Sequence, residues 1–353
     1  ATGAIMQAGS TFKPFALIAA LQQGISTKTL VSGASPYQVP NSTTRVPNEF
    51  NQSFGRVDLR EGLAKSINTV FMRLNEQIGP TATKTAAIAA GIPAATPGLD
   101  DALVNVLGTA SPHVLDVANA YATIAGNGVR ATPYLVASVT SDTVSIDYQA
   151  PKSLTQAFSA EIAADTLDAM QRVTGPNGTA SRASQLGRPV AGKTGTTDGH
   201  KSVWFTGVVP QLSVSIGMYK DVGGVPQELT NIGGINELSG NSIPLSIWLD
   251  FMRTATANLP VAGFPARAGI GDDKVTVTQS PTTTATTTTT TTPPSTTTST
   301  TTTRTQPPTP TTPPATTTTK SPPPTTPPPS TTTTKGRVPA GGGPGVVVPP
   351  PGG

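Results

Sequence analysis

Ser10-Thr11-Phe12-Lys13 places a hydroxyl and an amine three residues apart, Ser66-Ile67-Asn68 offers a second hydroxyl with a carboxamide, and Lys193-Thr194-Gly195 supplies a second amine. A serine hydroxyl is a weak nucleophile until a neighbouring base takes its proton. A lysine amine is such a base only where burial or a nearby cation holds it neutral, and Lys193 is the candidate cation. A spacing of three puts Ser10 and Lys13 on one face of a helix. The chemistry to test is therefore nucleophilic attack by Ser10 with Lys13 as base.

Those side chains need elements to hold them. Phe12, Phe15, Ala16, Ala19 and Ala20 recur near the helical period, with Gly24 as a stop, so Ser10 is expected at a helix N-terminus, where the helix dipole favours developing negative charge. Pro14 is tolerated there because first-turn N–H groups have no intrahelical partner. Leu59, Leu63 and Ala64 predict a short helix ending in a loop that presents Ser66 and Asn68. A helix over Pro112–Ala125 is expected with Ser111 as N-cap, and another over Ala160–Val173. From Pro189 the period changes: 190–195, 203–209 and 212–219 read as antiparallel strands, the last two joined at Pro210-Gln211, and 243–257 as a helix laid on them. Trp204 and Phe205 are expected in the sheet core. The expected fold class is α+β, an antiparallel sheet flanked by helices.

Composition divides the 353 residues near Ser280. Residues 1–262 are read as one folded domain, 263–280 as a linker, and 281–353, almost entirely Thr, Pro, Ser and Gly, as a disordered tail too poor in apolar side chains to offset the entropy of ordering. The formal +4 misleads: Lys274, Arg304, Lys320, Lys335 and Arg337 are the only charges after Asp273, leaving 18 of 23 basic residues against all 19 acidic ones before it. A near-neutral folded part argues against nucleic acid as a partner. With no cysteine there is neither a disulfide framework nor a thiolate metal site, and no apolar run approaches a membrane span.

Rival motifs fail on context. Gly187 to Thr194 matches the Gly-x-x-x-x-Gly-Lys-Thr phosphate loop, yet polar residues precede it and a strand pattern follows, where a phosphate loop needs a buried strand before and a helix after. A Ser-His-Asp hydrolase has only His113 and His200 to draw on, both read as surface histidines, and no Gly-x-Ser-x-Gly elbow. Asp198 beside His200 is read as solvated loop.

The three islands in this order form the Ser-x-x-Lys, Ser-x-Asn, Lys-Thr-Gly set of penicillin-binding proteins and class A β-lactamases. With the wider blocks Gly9–Phe15, Leu59–Asn68, Leu107–Pro112 and Arg188–Thr197, the chain resembles the transpeptidase domain of a class A, bifunctional penicillin-binding protein from about Ala1 to about Pro260. The resemblance implies a serine D,D-transpeptidase of peptidoglycan cross-linking at the outer face of the cytoplasmic membrane, without metal or organic cofactor. Ser10 would be acylated with Lys13 as base, Ser66 would relay a proton to the leaving amine, and Asn68 would hold the substrate amide. Lys193, with Thr194 and Thr196 in the Gly195–Thr197 segment, would bind the terminal carboxylate of a D-Ala-D-Ala stem peptide, and the N–H groups of Ser10 and Thr196 would form the oxyanion hole. Partners implied are that donor, an amine acceptor and, covalently, β-lactams. The resemblance also implies upstream parts: a membrane anchor, a glycosyltransferase domain, and first strands and a helix of the transpeptidase fold. A D,D-carboxypeptidase is the alternative in which water rather than an amine reaches the ester. A class A β-lactamase also needs Glu-x-x-x-Asn between the second and third, and the one match, Glu237 to Asn241, falls after Lys193. The non-enzymatic alternative is a cell-wall binding scaffold.

Overall fold

The computed structural model describes residues 5–277; the expected tail, 281–353, lies outside them. Among the described residues seven α-helices run in order: α1 (Lys13–Gln22), α2 (Leu59–Ala64), α3 (Asn68–Ile78), α4 (Pro80–Ala90), α5 (Val114–Ala125), α6 (Ala160–Thr174) and α7 (Ile243–Ala255). One four-stranded sheet, β1 (Ala191–Thr196), β2 (Ser202–Val209), β3 (Leu212–Val222) and β4 (Val225–Gln227), has spatial order β4-β3-β2-β1 and is antiparallel throughout. Helices α5, α6 and α7 pack on it, so the α+β architecture is as expected.

Burial explains the layering. All eight residues of β2 are buried, and Phe205 meets Trp248 of α7 edge-on with centroids 5.2 Å apart. Helix α1 is apolar nearly all round and buried from Lys13 to Leu21, as a helix enclosed by others must be. It touches α3, α4 and α6, and carries the residues after Ser10 into the centre of the molecule. One large apolar cluster joins these helices to the inner sheet.

Three local expectations shift. The 112–125 helix begins at Val114, because His113 rather than Ser111 is the N-cap: the His113 N–H donates to Asp116 Oδ2 at 3.1 Å, closing a capping box. Asn68 opens α3 instead of sitting in a loop. The segment 263–280, read as linker, is docked over 264–277. Phe264, Ile270 and Val275 pack on the core, Val277 is buried, and the fully buried Asp165 carboxylate accepts N–H bonds from Gly269 (2.8 Å) and Ile270 (3.0 Å). Spaced apolar residues and an acceptor waiting on α6 fasten a stretch whose composition alone reads as polar.

Candidate active site

The chain reaches Ser10 along a segment stitched to the sheet. Gln7 O accepts bonds from Ser202 Oγ (2.6 Å) and Trp204 Nε1 (2.8 Å) of β2, while Ala8 N and Gly9 N donate to Ala110 O (2.9 Å) and Gly108 O (3.1 Å). Gly9 has φ +57°, and a Cβ there would lie 2.9 Å from Thr196 O. Only glycine brings its backbone this close at that φ, so Ser10 follows at the end of β1. Gly9–Phe12 form a 3-10 turn that runs directly into α1, held by Tyr121 Oη donating to Thr11 O at 2.8 Å.

Four motif side chains converge. Lys13, wholly buried, donates from Nζ to Ser66 O at 2.7 Å, Asn68 Oδ1 at 2.7 Å and Ser66 Oγ at 3.2 Å, and lies 5.7 Å from the Phe71 ring centre. Lys193, also wholly buried, projects from β1 to Ser66 Oγ at 2.8 Å and to Thr194 O at 3.0 Å. Ser66 therefore stands between two amines. It sits between α2 and α3 with φ +56°, a left-handed backbone that costs a non-glycine residue about 1–2 kcal/mol and turns its side chain and carbonyl toward the lysines. Thr194 Oγ1 lies 2.9 Å from Thr179 Oγ1; Thr196 and Thr197 are half-buried at the end of β1, Thr197 hydrogen-bonded to Ser202.

The electrostatics follow from the burial. Desolvation holds the Lys13 amine well below the ordinary lysine range, the Lys193 charge lowers it further, and Glu49 pulls it back up. Lys193 is lowered to about 7 by desolvation, with Glu49 again opposing.

Sequence reasoning missed the wall of the site. Asn68 Nδ2 donates to Pro47 O at 3.1 Å while its Oδ1 holds Lys13, so one carboxamide joins the 47–54 loop to the Lys13 amine. Asn48, buried, anchors that loop with bonds to Gly33 O (3.0 Å), Gln52 O (2.8 Å) and Thr69 N (2.9 Å). Between this loop, Ser66 and Thr179 lies a cavity of about 310 Å³; a larger one, about 370 Å³, beside Glu61, Asp168 and Arg172 contains none of the motif residues. No periodicity marks Glu49 or Thr179, and both reach the site only through long-range folding. The two rival motifs dissolve in the fold. The Gly187–Thr194 loop leads into β1 rather than a helix, and His200 Nδ1 lies 2.7 Å from Leu238 O, fastening a surface ribbon. Among the described residues no acidic, histidine or cysteine cluster could hold a metal ion, and no helix is long and apolar enough to cross a membrane.

Residues 1–220 match the family model "Penicillin binding protein transpeptidase domain". Penicillin-binding protein 1A of Mycolicibacterium smegmatis is 32% identical over 285 residues, covering 74% of this chain and 35% of that protein. Penicillin-binding protein 1A of Mycobacterium tuberculosis is 31% identical over 289 residues, 75% of this chain and 34% of its own length. This chain thus spans about a third of the length of these relatives. Among solved structures, that of the PonA1 protein from Mycobacterium tuberculosis in complex with penicillin V has a TM-score of 0.68 at 30% identity, covering 79% of this chain and 77% of that one.

Proposed function

The chain belongs to the penicillin-binding protein transpeptidase family, and from that premise we propose that it is a serine D,D-transpeptidase that cross-links peptidoglycan stem peptides through an acyl-enzyme on Ser10. The observation that carries the proposal is a single hydroxyl, Ser66 Oγ, shared by two buried amines beside the turn that presents Ser10. Binding alone has no need for two dehydrated lysines; a proton relay does.

Lys13 is suited to be the base. Its two 2.7 Å bonds, to Ser66 O and Asn68 Oδ1, use two amine hydrogens. A neutral amine so anchored keeps a lone pair for the Ser10 proton, and burial favours that neutral form. Ser10 Oγ attacks the carbonyl carbon of the penultimate D-alanine. Its proton passes through Lys13 and Ser66 to the nitrogen of the departing D-alanine, and the C–N bond breaks. Thr196 N and Ser10 N, brought to the same corner by the Gly9 contact, are the oxyanion donors, each worth about 3 kcal/mol of transition-state stabilisation. Lys193, Thr194 and Thr196 receive the terminal carboxylate. Lys193 does so best when charged, so donor affinity falls as pH rises through about 7.

In the second half-reaction an amine nitrogen attacks the ester carbon. The carbon bond to Ser10 Oγ breaks and that oxygen takes back a proton from the attacking nitrogen. β-Lactams enter the first half-reaction as acyl donors. The reaction is placed outside the cytoplasmic membrane, where its polymer substrate lies, and the membrane anchor and glycosyltransferase domain implied by the resemblance remain part of this proposal for the longer protein.

A fluorescent penicillin tests the reading. A covalent band on the intact chain, stable over many minutes and abolished by Ser10→Ala, is the expected result. Label that survives Ser10→Ala, or no label on a chain whose circular dichroism shows it folded, overturns it. Rapid loss of label identifies a hydrolase instead.

A further inference from the structure

Resting on the acyl-transfer reading above, we infer that the groove between the 47–54 loop and Ser66 is the entry for the amine acceptor, and that Glu49 recognises this acceptor as a cation. The cavity of about 310 Å³ is lined by Ser66, by Glu49, Phe50 and Phe54 of the 47–54 loop, and by Thr179. Ser66, whose Oγ is bonded by both Lys13 and Lys193, connects this cavity to the lysine pair, while Thr179 Oγ1, 2.9 Å from Thr194 Oγ1, links it to the strand that receives the donor. A second substrate entering there approaches an ester on Ser10 without displacing the first.

Its charge sets the chemistry of the occupant. Alkyl amines travel in neutral water as ammonium ions, like a lysine side chain of pKa about 10.4. Glu49 is exposed and belongs to none of the ion pairs among the described residues. The cavity's own cation, Lys65, is already engaged: its Nζ is 2.8 Å from Glu61 Oε1 and 5.8 Å from the Phe54 ring centre. The field of Glu49 reaches both Lys13 and Lys193, which puts its carboxylate within electrostatic range of the reacting centre. Beside it Phe50 is 80% exposed. Phe50 and Asn51 both hold left-handed backbone (φ 52° and 54°), a strained pair fixed in place by the bonds of Asn48. Strain of this kind persists only where surrounding structure enforces it. Here it leaves an exposed aromatic ring beside Glu49 in the cavity lining, where ring and carboxylate both favour a primary ammonium.

The ammonium gives one proton to solvent before the neutral amine attacks, so Glu49 acts on encounter and binding, and bond making is left to the lysine pair. The test uses a thioester acyl donor and two acceptors, glycinamide, which has a cationic form, and hydroxylamine, which is neutral near pH 7, with amide, hydroxamate and hydrolysed products counted separately. Glu49→Gln is expected to raise the glycinamide KM about five-fold, the scale of an exposed ion pair, with kcat within two-fold. Added salt acts on the parent in the same direction, hydroxylamine KM is unmoved, and Glu49→Asp falls between. Equal shifts for both acceptors, no shift for either, or a fall in hydrolysis alone overturns the inference, the last because Glu49 would then be serving water. Failure of the parent to gain acyl mass on Ser10 sinks the acyl-transfer reading, and this inference with it; that outcome is read by mass spectrometry before any acceptor is added.

Discussion

The seam where the Gly9–Phe12 3-10 turn meets β1 and the outlying stretch 132–156 both bring short runs of backbone together, but different forces hold them. At the seam, backbone lies on backbone: Gly9 against Thr196, and Gly195 so close to Ala8 that a Cβ would lie 2.7 Å from its carbonyl oxygen. Around it Gln7 O, Ala8 N and Gly9 N are hydrogen-bonded, and the flanking Phe12, Phe15 and Trp204 are buried. In 132–156, Ser138–Thr140 pairs with Asp147–Gln149 while all six residues are exposed, as are Leu135 (95%) and Leu154 (70%). Ladder hydrogen bonds give that hairpin its shape without burial. The contrast teaches that placing reactive groups requires close packing, since the ladder alone fixes register but holds no side chain to a fraction of an ångström.

The largest test of the contrast is Gly9→Ala. The new methyl meets Thr196 at a φ that side chains rarely adopt, so a loss of about 2–4 kcal/mol in urea unfolding is expected, with penicillin acylation slowed at least about 100-fold as Ser10 moves off Thr196. A variant as stable and as fast as the parent would break the comparison. Next is Asn48→Ala, expected to cost about 2–3 kcal/mol, because the buried side chain makes three hydrogen bonds and its loss leaves the Thr69 N–H without an acceptor. A cost below about 0.5 kcal/mol would show that the 47–54 loop is held by something else.

A third test uses pH. Lys193 sheds its proton at about 7 in the folded chain and near 10.4 when unfolded, so between these values the unfolded state binds more protons and stability rises with pH. Lys193→Met removes that contribution. The parent's Tm is expected to gain on the variant's between pH 7 and pH 9, and parallel curves would refute the buried, proton-shedding amine. The smallest effect is Leu135→Ser, expected to change stability by less than about 0.5 kcal/mol because the side chain is already in water. A loss above about 1 kcal/mol would mean that the hairpin is packed after all.

Legibility in the sequence followed locality. The helix after Ser10 and α6 and α7 could be read because apolar residues recur within single segments, and β1 to β3 because turn residues punctuate alternating or continuous apolar runs. Helix α4, TATKTAAIAA after its proline, carries too little contrast between apolar and polar faces to announce itself, and α3 was obscured because its first residue, Asn68, also belongs to a motif. The 264–277 strap looked like linker because its anchor is the Asp165 carboxylate, a hundred positions earlier in the chain.

By itself the sequence determined the inventory: which hydroxyls, amines and carboxamide are present, in what order, and on which local elements, since type and period are properties of neighbouring residues. The tertiary structure alone decided that Lys13 and Lys193, 180 positions apart, share Ser66 Oγ, that both are dehydrated enough to lose their protons easily, and that the charge of Glu49 opposes that loss through space. Desolvation and Coulomb interaction depend on distance through space, and a linear order of residues carries no such distances until the chain folds.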